Sequence, residues 1–383
     1  MKLAVPIQQE GETRVALTPS VVKSLTTAGH EVLIETGAGL GSHADDTSYQ
    51  EAGAKVVSRA DAATLCGKVD IVLTINPPSI EQVSQMREGA VLIGMLSPLS
   101  NLELIKVLAD REVTAISLEF IPRITRAQAM DVLSSQANMA GYKAVILAAD
   151  ACPKMFPMMM TAAGTIAPSR VFVIGAGVAG LQAIATAKRL GAIVEAYDVR
   201  SEVEEQIKSL GGRFVKLPTT KQETATSGGY ANQQTDEERR QQVELMTKHV
   251  MSADAVITTA AIFGKAPPLL IPADVVGQMK SGSVIVDIAA DTQIGRGNCE
   301  MTKPGQRSIT DNGVIIEGTL NLPGCLPVHA SQAYANNIHA LLKEMVDTEG
   351  NLKLDREDEI QKSVTITHAG QVVNAMVMKA IET

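Results

Sequence analysis

The sequence contains no Trp, only four Cys and an aromatic content of 3%. The cysteines form no close pair, which excludes a disulfide framework and a Cys-x-x-Cys zinc or redox motif, and fits a reducing compartment. No apolar run approaches the roughly 20 residues that a membrane helix needs. The first residues lead directly into a predicted strand, so we expect neither a direct membrane span nor a signal peptide.

Basic residues are also scarce. The 34 Lys and Arg are outnumbered by 42 Asp and Glu, which gives a net charge of −8. Such a balance repels a phosphate backbone and argues against nucleic acid as a partner. The six His show neither ligand spacing nor an accompanying carboxylate motif, so no metal site is expected.

The chain has instead ample length and apolar content, because 383 residues with 45% hydrophobic side chains exceed what one core usually serves. Short β-branched runs alternate with helical stretches in two successive series, which predicts two parallel sheets. The predicted strands are 3–5, 31–35, 71–75, 91–93 and 113–116, then 171–174, 193–197, 213–216, 255–259, 284–288 and 314–317. The expected fold class is α/β, with two Rossmann-like, doubly wound parallel-sheet domains separated by a cleft and joined by long helices.

Two long helical patterns determine the expected domain boundaries. The first covers 126–152 and opens with a capping box formed by Thr125 and Gln128, and the second covers 330–346. The first domain is therefore expected to contain residues 1–128 and 330–383, and the second residues 129–329.

A glycine motif is the strongest chemical signal. Gly175-Ala176-Gly177-Val178-Ala179-Gly180 follows the predicted strand 171–174 and opens a helix. In such a turn the first glycine permits a tight bend, the second lets a pyrophosphate approach the backbone, and the third packs the helix on the strand. Free N–H groups at the helix N-terminus then face the phosphates. We predict a dinucleotide site, with a merely structural turn as the alternative.

An acidic residue follows the next predicted strand. Asp198 lies 18 residues after Gly180, where Rossmann domains place a carboxylate on the adenosine ribose. At about 4 Å and an effective dielectric near 20, it would repel a 2′-phosphate by about 4 kcal/mol per unit charge. We therefore expect NAD(H) rather than NADP(H), with Val199 and Arg200 completing the segment. Arg200 keeps the other choice open, because a guanidinium could neutralise the phosphate.

Several segments make the chain resemble the alanine dehydrogenase and pyridine nucleotide transhydrogenase superfamily. They are 11–19, 122–131, 161–164 and 175–200. Segments 134–142 and 228–231 are similar to the transhydrogenase branch. The resemblance implies direct hydride transfer between NADH on this chain and NADP⁺ on a separate NADP(H)-binding component, coupled to proton translocation by a membrane-spanning component. It also implies a homodimer, placed peripherally on the cytoplasmic side of the inner membrane.

The resemblance further implies residues at the nicotinamide end. Arg123 matches an arginine that contacts the carboxamide, and Gln128, Asp131 and Ser134 match polar residues around the ring and its ribose. Each has a plainer alternative. Gln128 caps a helix, Asp131 and Ser134 form a solvated helix face, or Arg123 pairs with Glu119.

A long polar stretch, 219–242, lies inside the second predicted domain and is typical of a lid or of a disordered excursion. Gly229 and Tyr230 lie in its middle, and the resemblance matches Tyr230 to the tyrosine of a mobile loop.

Two other functions stay open. A stand-alone alanine dehydrogenase-like enzyme needs an acid-base residue, yet segments 73–78 and 92–97, where that branch has a Lys and a His, contain neither. Asp291 fits that alternative better, because it matches the position of a catalytic aspartate in alanine dehydrogenases, but its interpretation as a loop residue is preferred. The second alternative is a non-catalytic NAD(H)-sensing module.

Overall fold

The computed structural model describes residues 1–58, 65–216, 244, 246–261, 264–347 and 349–382. The chain divides into two compact units, Met1–Gln136 with Gly324–Thr383, and Ala137–Pro323. The domain assignment made from the sequence, with boundaries at 128 and 329, stays a prediction.

The strands of the described residues follow one another as expected for alternating β and α elements. In chain order they are β1 Lys2–Val5, β2 Glu31–Glu35, β3 Lys55–Val57, β4 Ile71–Leu73, β5 Val91–Gly94, β6 Thr114–Ser117, β7 Met159–Thr161, β8 Gly164–Ile166, β9 Arg170–Ile174, β10 Ile193–Tyr197, β11 Arg213–Phe214, β12 Ala255–Thr258, β13 Val284–Asp287, β14 Arg307–Ile309, β15 Ile315–Glu317, β16 Thr365–His368 and β17 Gln371–Val372.

The α-helices mostly connect these strands. They are α1 Pro19–Thr27, α2 Asp46–Glu51, α3 Ile80–Ser84, α4 Leu102–Asp110, α5 Val132–Ala151, α6 Val178–Arg189, α7 Glu204–Ser209, α8 Ala273–Gly277, α9 Pro327–Met345, α10 Glu359–Val364 and α11 Ala375–Glu382. Within the described residues, none of them combines the length and the hydropathy that a bilayer crossing requires.

The sheet of the first unit has the strand order β17-β16-β6-β5-β4-β1-β2-β3. Strands β1 to β6 are all parallel, in the order 3-2-1-4-5-6 of a doubly wound nucleotide-binding fold. The antiparallel strands β16 and β17 extend the sheet beyond β6. Neither of these two strands nor the edge strand β3 was predicted from the sequence.

The second unit repeats this order as β11-β10-β9-β12-β13-β15-β14, with only β14 antiparallel. Side chains of β9 alternate across the sheet, as a strand covered on both faces requires. Val171 and Val173 pack in one buried cluster, and Phe172 and Ile174 in another. The predicted α/β class with two parallel-dominated sheets is therefore confirmed.

The predicted start of the first long helix is wrong. The helix expected from residue 126 begins at Val132, and the preceding residues Thr125–Met130 form a 3₁₀-helix that has no side-chain cap at its N-terminus. Asp131 is extended between the two and accepts the backbone N–H of Ser134 at 2.9 Å. A carboxylate at this position satisfies a free N–H and complements the helix dipole, so Asp131, rather than the pair Thr125 and Gln128, caps the long helix.

Candidate nucleotide-binding site

The glycine motif lies in the turn between β9 and α6. The N–H of Gly175 donates to the Tyr197 carbonyl at the end of β10, at 2.8 Å. The Thr259 hydroxyl, just after β12, donates to the Gly175 carbonyl at 3.1 Å. The order of strands reverses between β9 and β12, and open α/β sheets bind ligands at the carboxyl ends of the strands at such a point.

The three glycines of the motif have different surroundings. Gly175 has a φ of +96°, which favours glycine. A Cβ atom on Gly180 would lie 1.9 Å from the Gly175 carbonyl oxygen, so this glycine permits close packing of α6 on the turn. A Cβ atom on Gly177 would meet nothing within 4 Å. The backbone at the second glycine therefore adjoins open space, where the nucleotide-binding motif needs room for a pyrophosphate.

Helix α6 directs its N-terminus at this space. Gly177 is its N-cap and provides no side-chain cap, so the first N–H groups, which have no acceptor within the helix, are available for an anion. Helix α5 packs closely against the start of α6. A Cβ atom on Gly141 in α5 would lie 2.1 Å from the carbonyl oxygen of Ala179. Val178 beside it is 38% exposed.

Asp198 follows β10 and is engaged by its own chain. One carboxylate oxygen, Oδ2, accepts the Ala176 N–H at 2.7 Å and Arg200 Nη2 at 3.0 Å. The other, Oδ1, accepts the backbone N–H and Nε of Arg200, both at 2.9 Å. These bonds with Asp198 raise the pKa of the Arg200 guanidinium. The role expected from the sequence for Asp198, Val199 and Arg200, at the adenosine ribose, stays a prediction, and the ion pair between the two charged residues was not foreseen.

A second buried carboxylate, Asp287 at the end of β13, holds the loop that follows this strand. It accepts the hydroxyls of Thr258 at 2.8 Å and Thr302 at 2.7 Å, and the Cys299 N–H at 2.9 Å. Gly297 approaches it so closely that a Cβ atom would lie 2.3 Å from Oδ2. Asp287 therefore fixes the loop on this edge of the sheet. The sequence pattern predicted only that Asp287 lies near the end of a strand, and no role for its carboxylate.

Asp291 in the same loop stabilises a local turn. Its Oδ1 accepts the backbone N–H groups of Gln293 at 2.7 Å and Ile294 at 3.1 Å. Its own N–H donates to the Arg296 carbonyl at 3.0 Å. These contacts fit the loop-residue interpretation of Asp291.

Arg123, Gln128, Asp131 and Ser134, which were predicted to surround the nicotinamide, lie in the first unit. Arg123 and Gln128 are exposed, and Gln128 belongs to the 3₁₀-helix. Asp131 and Ser134 are in contact, with the Ser134 hydroxyl donating to Oδ2 of Asp131 at 2.6 Å. Gln128 therefore lies in the 3₁₀-helix, whereas Asp131 and Ser134 lie at the start of α5, so the three residues do not share one α-helical face. Glu119, the alternative partner of Arg123, accepts the N–H groups of Leu96 at 3.1 Å and Ser97 at 2.7 Å.

The lid stretch 219–242, with Gly229 and Tyr230, lies outside the described residues. Its predicted role is therefore unchanged by the structure. In the ranges that the structure describes, no group of three or more His, Cys, Asp or Glu side chains is arranged to hold a metal ion.

A buried ion pair in the first unit was missed from the sequence. Glu12 accepts three hydrogen bonds from Arg14, from its backbone N–H at 2.9 Å, Nε at 2.8 Å and Nη2 at 2.7 Å. The side chains of Glu12 and Arg14 are 2% and 5% exposed. Nη1 of Arg14 donates to Gln136 in α5, and Asn76 after β4 donates to Glu12. The two-residue spacing of opposite charges inside segment 11–19 was the available signal. This cluster contains neither Lys nor His.

Comparison with known proteins agrees with this geometry. Residues 7–140 match the family model of the alanine dehydrogenase/PNT N-terminal domain, and residues 144–375 match that of the C-terminal domain. The chain is 44% identical over 382 residues to the first of the parts that make up NAD(P) transhydrogenase subunit alpha in Rhodospirillum rubrum, with 98% of each chain covered. It is 30% identical to alanine dehydrogenase 2 of Staphylococcus aureus, over 100% of this chain and 97% of the relative.

Among solved structures, a transhydrogenase from Sinorhizobium meliloti is similar with a TM-score of 0.85 and 42% identity, covering 97% of this chain and 100% of that one. The resemblance inferred from the sequence is thus confirmed by both domain models and by full-length relatives. The chain belongs to the alanine dehydrogenase/PNT family.

Proposed function

We propose that this chain is the NAD(H)-binding component of a proton-translocating transhydrogenase. It would bind NADH and allow direct hydride transfer to NADP⁺ held on a partner component, with proton translocation through a membrane-spanning component. The observation that carries the proposal is the open backbone at Gly177, where the N-terminus of α6 meets the reversal in strand order between β9 and β12. The higher identity to a transhydrogenase alpha subunit than to an alanine dehydrogenase supports this branch.

In this reaction the main task of the protein is to position the two nicotinamides. The two nicotinamides supply the hydride donor and acceptor, whose reacting carbons must approach to about 3–3.5 Å. No side chain has to move a proton in that step. We assign the residues around the glycine motif, Gly175 to Gly180, to the pyrophosphate. Arg123, Gln128, Asp131 and Ser134 would orient the nicotinamide end, and the lid with Gly229 and Tyr230 would exclude water.

We propose NAD(H) as the nucleotide bound by this chain, and NADP(H) as that of the partner. The Asp198 carboxylate lies beside the first turn of the motif, bonded to the Ala176 N–H. A 2′-phosphate placed there would meet a negative charge, whereas ribose hydroxyls can donate to it. Arg200, which could neutralise a phosphate, is already paired with Asp198.

The alanine dehydrogenase alternative is less well supported. That reaction moves protons on an amino or imino group and needs a positioned acid or base. Alanine dehydrogenases have a Lys and a His in the stretches after β4 and β5, and this chain has neither there. Thr74 and Asn76 follow β4, and Leu96 and Ser97 follow β5. Nε, Nη1 and Nη2 of the nearby Arg14 each donate to Glu12 or Gln136, so the protein itself engages this guanidinium.

We further propose that the chain acts as a homodimer, peripheral to the cytoplasmic side of the inner membrane. Strands β7 and β8 form a separate two-stranded sheet in which all six residues are exposed, including Met160 at 75%. An isolated hairpin of this kind is only marginally stable in water, so burial against a second copy would stabilise it. Light scattering on Met160→Asp, with Lys55→Asp on another surface as control, tests this assignment: the first variant is expected to be monomeric and the second dimeric.

The function is tested by mixing the purified chain with an NADP-binding component and following reduction of a thio-analogue of NADP⁺ by NADH. We expect NADH-dependent reduction that requires both proteins. Alanine-dependent reduction of NAD⁺ by the chain alone would establish the dehydrogenase alternative. Tight NADH binding without any transfer would favour the sensing module.

A further inference from the structure

Strand β12 ends at Thr258, and the two residues that follow, Thr259 and Ala260, support the glycine turn. We call these two residues the β12 extension. The Thr259 hydroxyl donates to the Gly175 carbonyl at 3.1 Å. A Cβ atom on Gly175 would lie 2.5 Å from that hydroxyl oxygen and 3.3 Å from the Ala260 nitrogen. The turn therefore packs directly on the β12 extension, and its position depends on where these two residues lie.

The backbone of Ala260 is held by a single side chain. Its N–H donates to Oδ1 of Asn298 at 3.1 Å, and its carbonyl accepts Nδ2 of Asn298 at 2.8 Å. The same nitrogen donates to the Pro268 carbonyl at 2.9 Å. A side-chain amide has two donor hydrogens and one acceptor oxygen, so every polar group of the Asn298 amide is engaged in fixing this segment.

Asn298 is itself fixed by contacts on either side of its side chain. Its backbone carbonyl accepts the N–H groups of Leu270 at 2.8 Å and Ile271 at 3.0 Å. The next N–H along the chain, that of Cys299, donates to the buried Asp287 carboxylate at 2.9 Å. Asn298 is 0% exposed, and a buried polar network whose members are all paired is rigid. This residue therefore connects the end of β13 firmly to the β12 extension.

We propose that Asn298 is a positioning residue of the nucleotide site. It holds the β12 extension, which supports the turn at Gly175, so that the N–H groups at the start of α6 are in place before the pyrophosphate arrives. Because its side chain is fully buried, Asn298 acts through the backbone and does not touch the nucleotide. Preorganisation of this kind increases affinity by reducing the ordering cost of binding. The inference rests on the proposed function, because it assumes that NADH binds at the glycine motif.

Two substitutions at this position remove different numbers of bonds. Asn298→Ala removes all the hydrogen bonds that the amide makes. Asn298→Asp keeps an oxygen for the Ala260 N–H, but a carboxylate cannot donate to the carbonyls of Ala260 and Pro268. Thr259→Val removes the hydroxyl that donates to Gly175 and leaves the Asn298 amide unchanged. It tests the same support of the turn if the first two variants do not fold.

Asn312→Ala is the matched control in the same unit. Asn312 lies in the turn before β15, at the amino edge of the sheet, and its Nδ2 donates to three backbone carbonyls within 276–279 at 3.0 to 3.3 Å. The control therefore also loses bonds between a side-chain amide and the backbone. It loses them at the edge of the sheet opposite to the glycine motif, which follows the carboxyl end of β9.

Nucleotide fluorescence measures the Kd of NADH for each protein, and thermal melting verifies that each is folded. The rate of hydride transfer to the thio-analogue of NADP⁺ is measured at saturating NADH with the NADP-binding component. We expect the Kd to rise about tenfold in both Asn298 variants and about threefold or more in Thr259→Val, as for the loss of hydrogen bonds that preorganise a site. The rate at saturating NADH should stay within about twofold of the wild type, because a residue that affects only binding leaves kcat unchanged. Asn312→Ala should lower the melting temperature but keep the Kd within about twofold, because distant sites act independently.

An unchanged Kd in the folded Asn298 variants, or in Thr259→Val where they do not fold, would overturn the inference and leave the proposed function intact. An equal rise in Kd for Asn312→Ala would also overturn it, because the effect would then reflect general stability. A wild type that binds NADH without any transfer would contradict the proposed function, whereas the comparison of Kd values would still decide the inference. A wild type that binds no NADH would contradict both.

Discussion

The buried pair of Glu12 and Arg14 stays ionised because each residue compensates the charge of the other. Burial by itself raises the pKa of the Glu12 carboxyl, but hydrogen bonds and charge attraction from Arg14, with a further bond from Asn76, outweigh it and lower the pKa below 4.5. The carboxylate therefore stays charged in the folded protein at neutral pH. Removing one partner of such a pair leaves the other buried without compensation, which typically costs about 3–5 kcal/mol.

We predict that Glu12→Gln lowers the free energy of unfolding by about 3–5 kcal/mol at pH 7. Because the folded-state pKa of Glu12 is lowered, its contribution is fully present above pH 4.5 and is lost as the pH falls through the folded pKa. The wild type should therefore lose more stability than the variant between pH 5 and pH 3, as measured by urea unfolding. Glu10→Gln, at an exposed neighbouring position, is the control and should change stability by less than about 0.5 kcal/mol. Identical pH profiles for Glu12→Gln and the wild type would contradict this account of the pair.

The glycine motif gives a second test at the residue scale, since two of its glycines should respond differently to the same added methyl group. Gly177 has a φ of −73° and open space around it, so Gly177→Ala should keep stability within about 0.5 kcal/mol yet weaken NADH binding about tenfold or more. Gly180→Ala would collide with the Gly175 carbonyl and should cost about 3 kcal/mol or more. Calorimetric melting and NADH titration measure the two effects. Loss of stability without loss of binding in Gly177→Ala would assign this glycine a structural role.

The roles of these glycines were predictable from the sequence alone because strand, turn and helix are neighbours along the chain. The hydrogen bond between Ala176 and Asp198 and the burial of Glu12 and Arg14 with Gln136 were not. Such contacts depend on which elements pack together, and for Arg14 and Gln136 the two residues are 122 positions apart.

At the scale of elements, the start of α5 differs from the start that the sequence pattern predicts. Thr125 and Gln128 have the spacing of a capping box, but the residues between 125 and 130 form a 3₁₀-helix and Asp131 caps the helix that follows. A carboxylate that accepts the N–H and the hydroxyl of Ser134 makes the stronger cap.

We predict that Asp131→Ala destabilises the protein by about 1 kcal/mol, because a free N–H at the start of α5 loses its acceptor. Asp131→Asn should remain within about 0.5 kcal/mol, since asparagine caps helices about as well as aspartate. Thr125→Ala should likewise have little effect, although the sequence pattern alone would assign it the larger one. Chemical denaturation of the three variants is the measurement. A larger loss for Thr125→Ala than for Asp131→Ala would restore the capping box.

Four of the strands that the sequence did not predict share a physical cause. β3, β14, β16 and β17 lie at or near sheet edges, are two to four residues long, and lack the continuous apolar runs of the central strands. A central parallel strand is buried on both faces and reads as a run of Val and Ile, whereas an edge strand carries polar residues that a single sequence cannot distinguish from a loop.

At the scale of the whole molecule, the two units share a strand order but differ in chemistry. After β9 the chain has the open glycine turn, whereas after β1 the corresponding edge is filled by the protein's own side chains. There the Gln8 amide oxygen accepts the Ile75 N–H at 2.9 Å, and a Glu35 oxygen accepts the Ile7 N–H at 2.7 Å. The shared topology was predictable from the alternation of elements. The difference between an open and a filled edge required the coordinates, because it depends on side chains far apart in sequence.

In the reaction that we propose, a hydride passes directly from NADH on this chain to NADP⁺ on another. The most direct measurement uses NADH carrying deuterium at both C4 positions of the nicotinamide, mixed with this chain, the NADP-binding component and NADP⁺ in ordinary water. We predict NADPH that carries one transferred deuterium per molecule formed, detected by mass spectrometry, and none formed without this chain. NADPH containing hydrogen from water at the transferred position, or no NADPH at all, would contradict the claim.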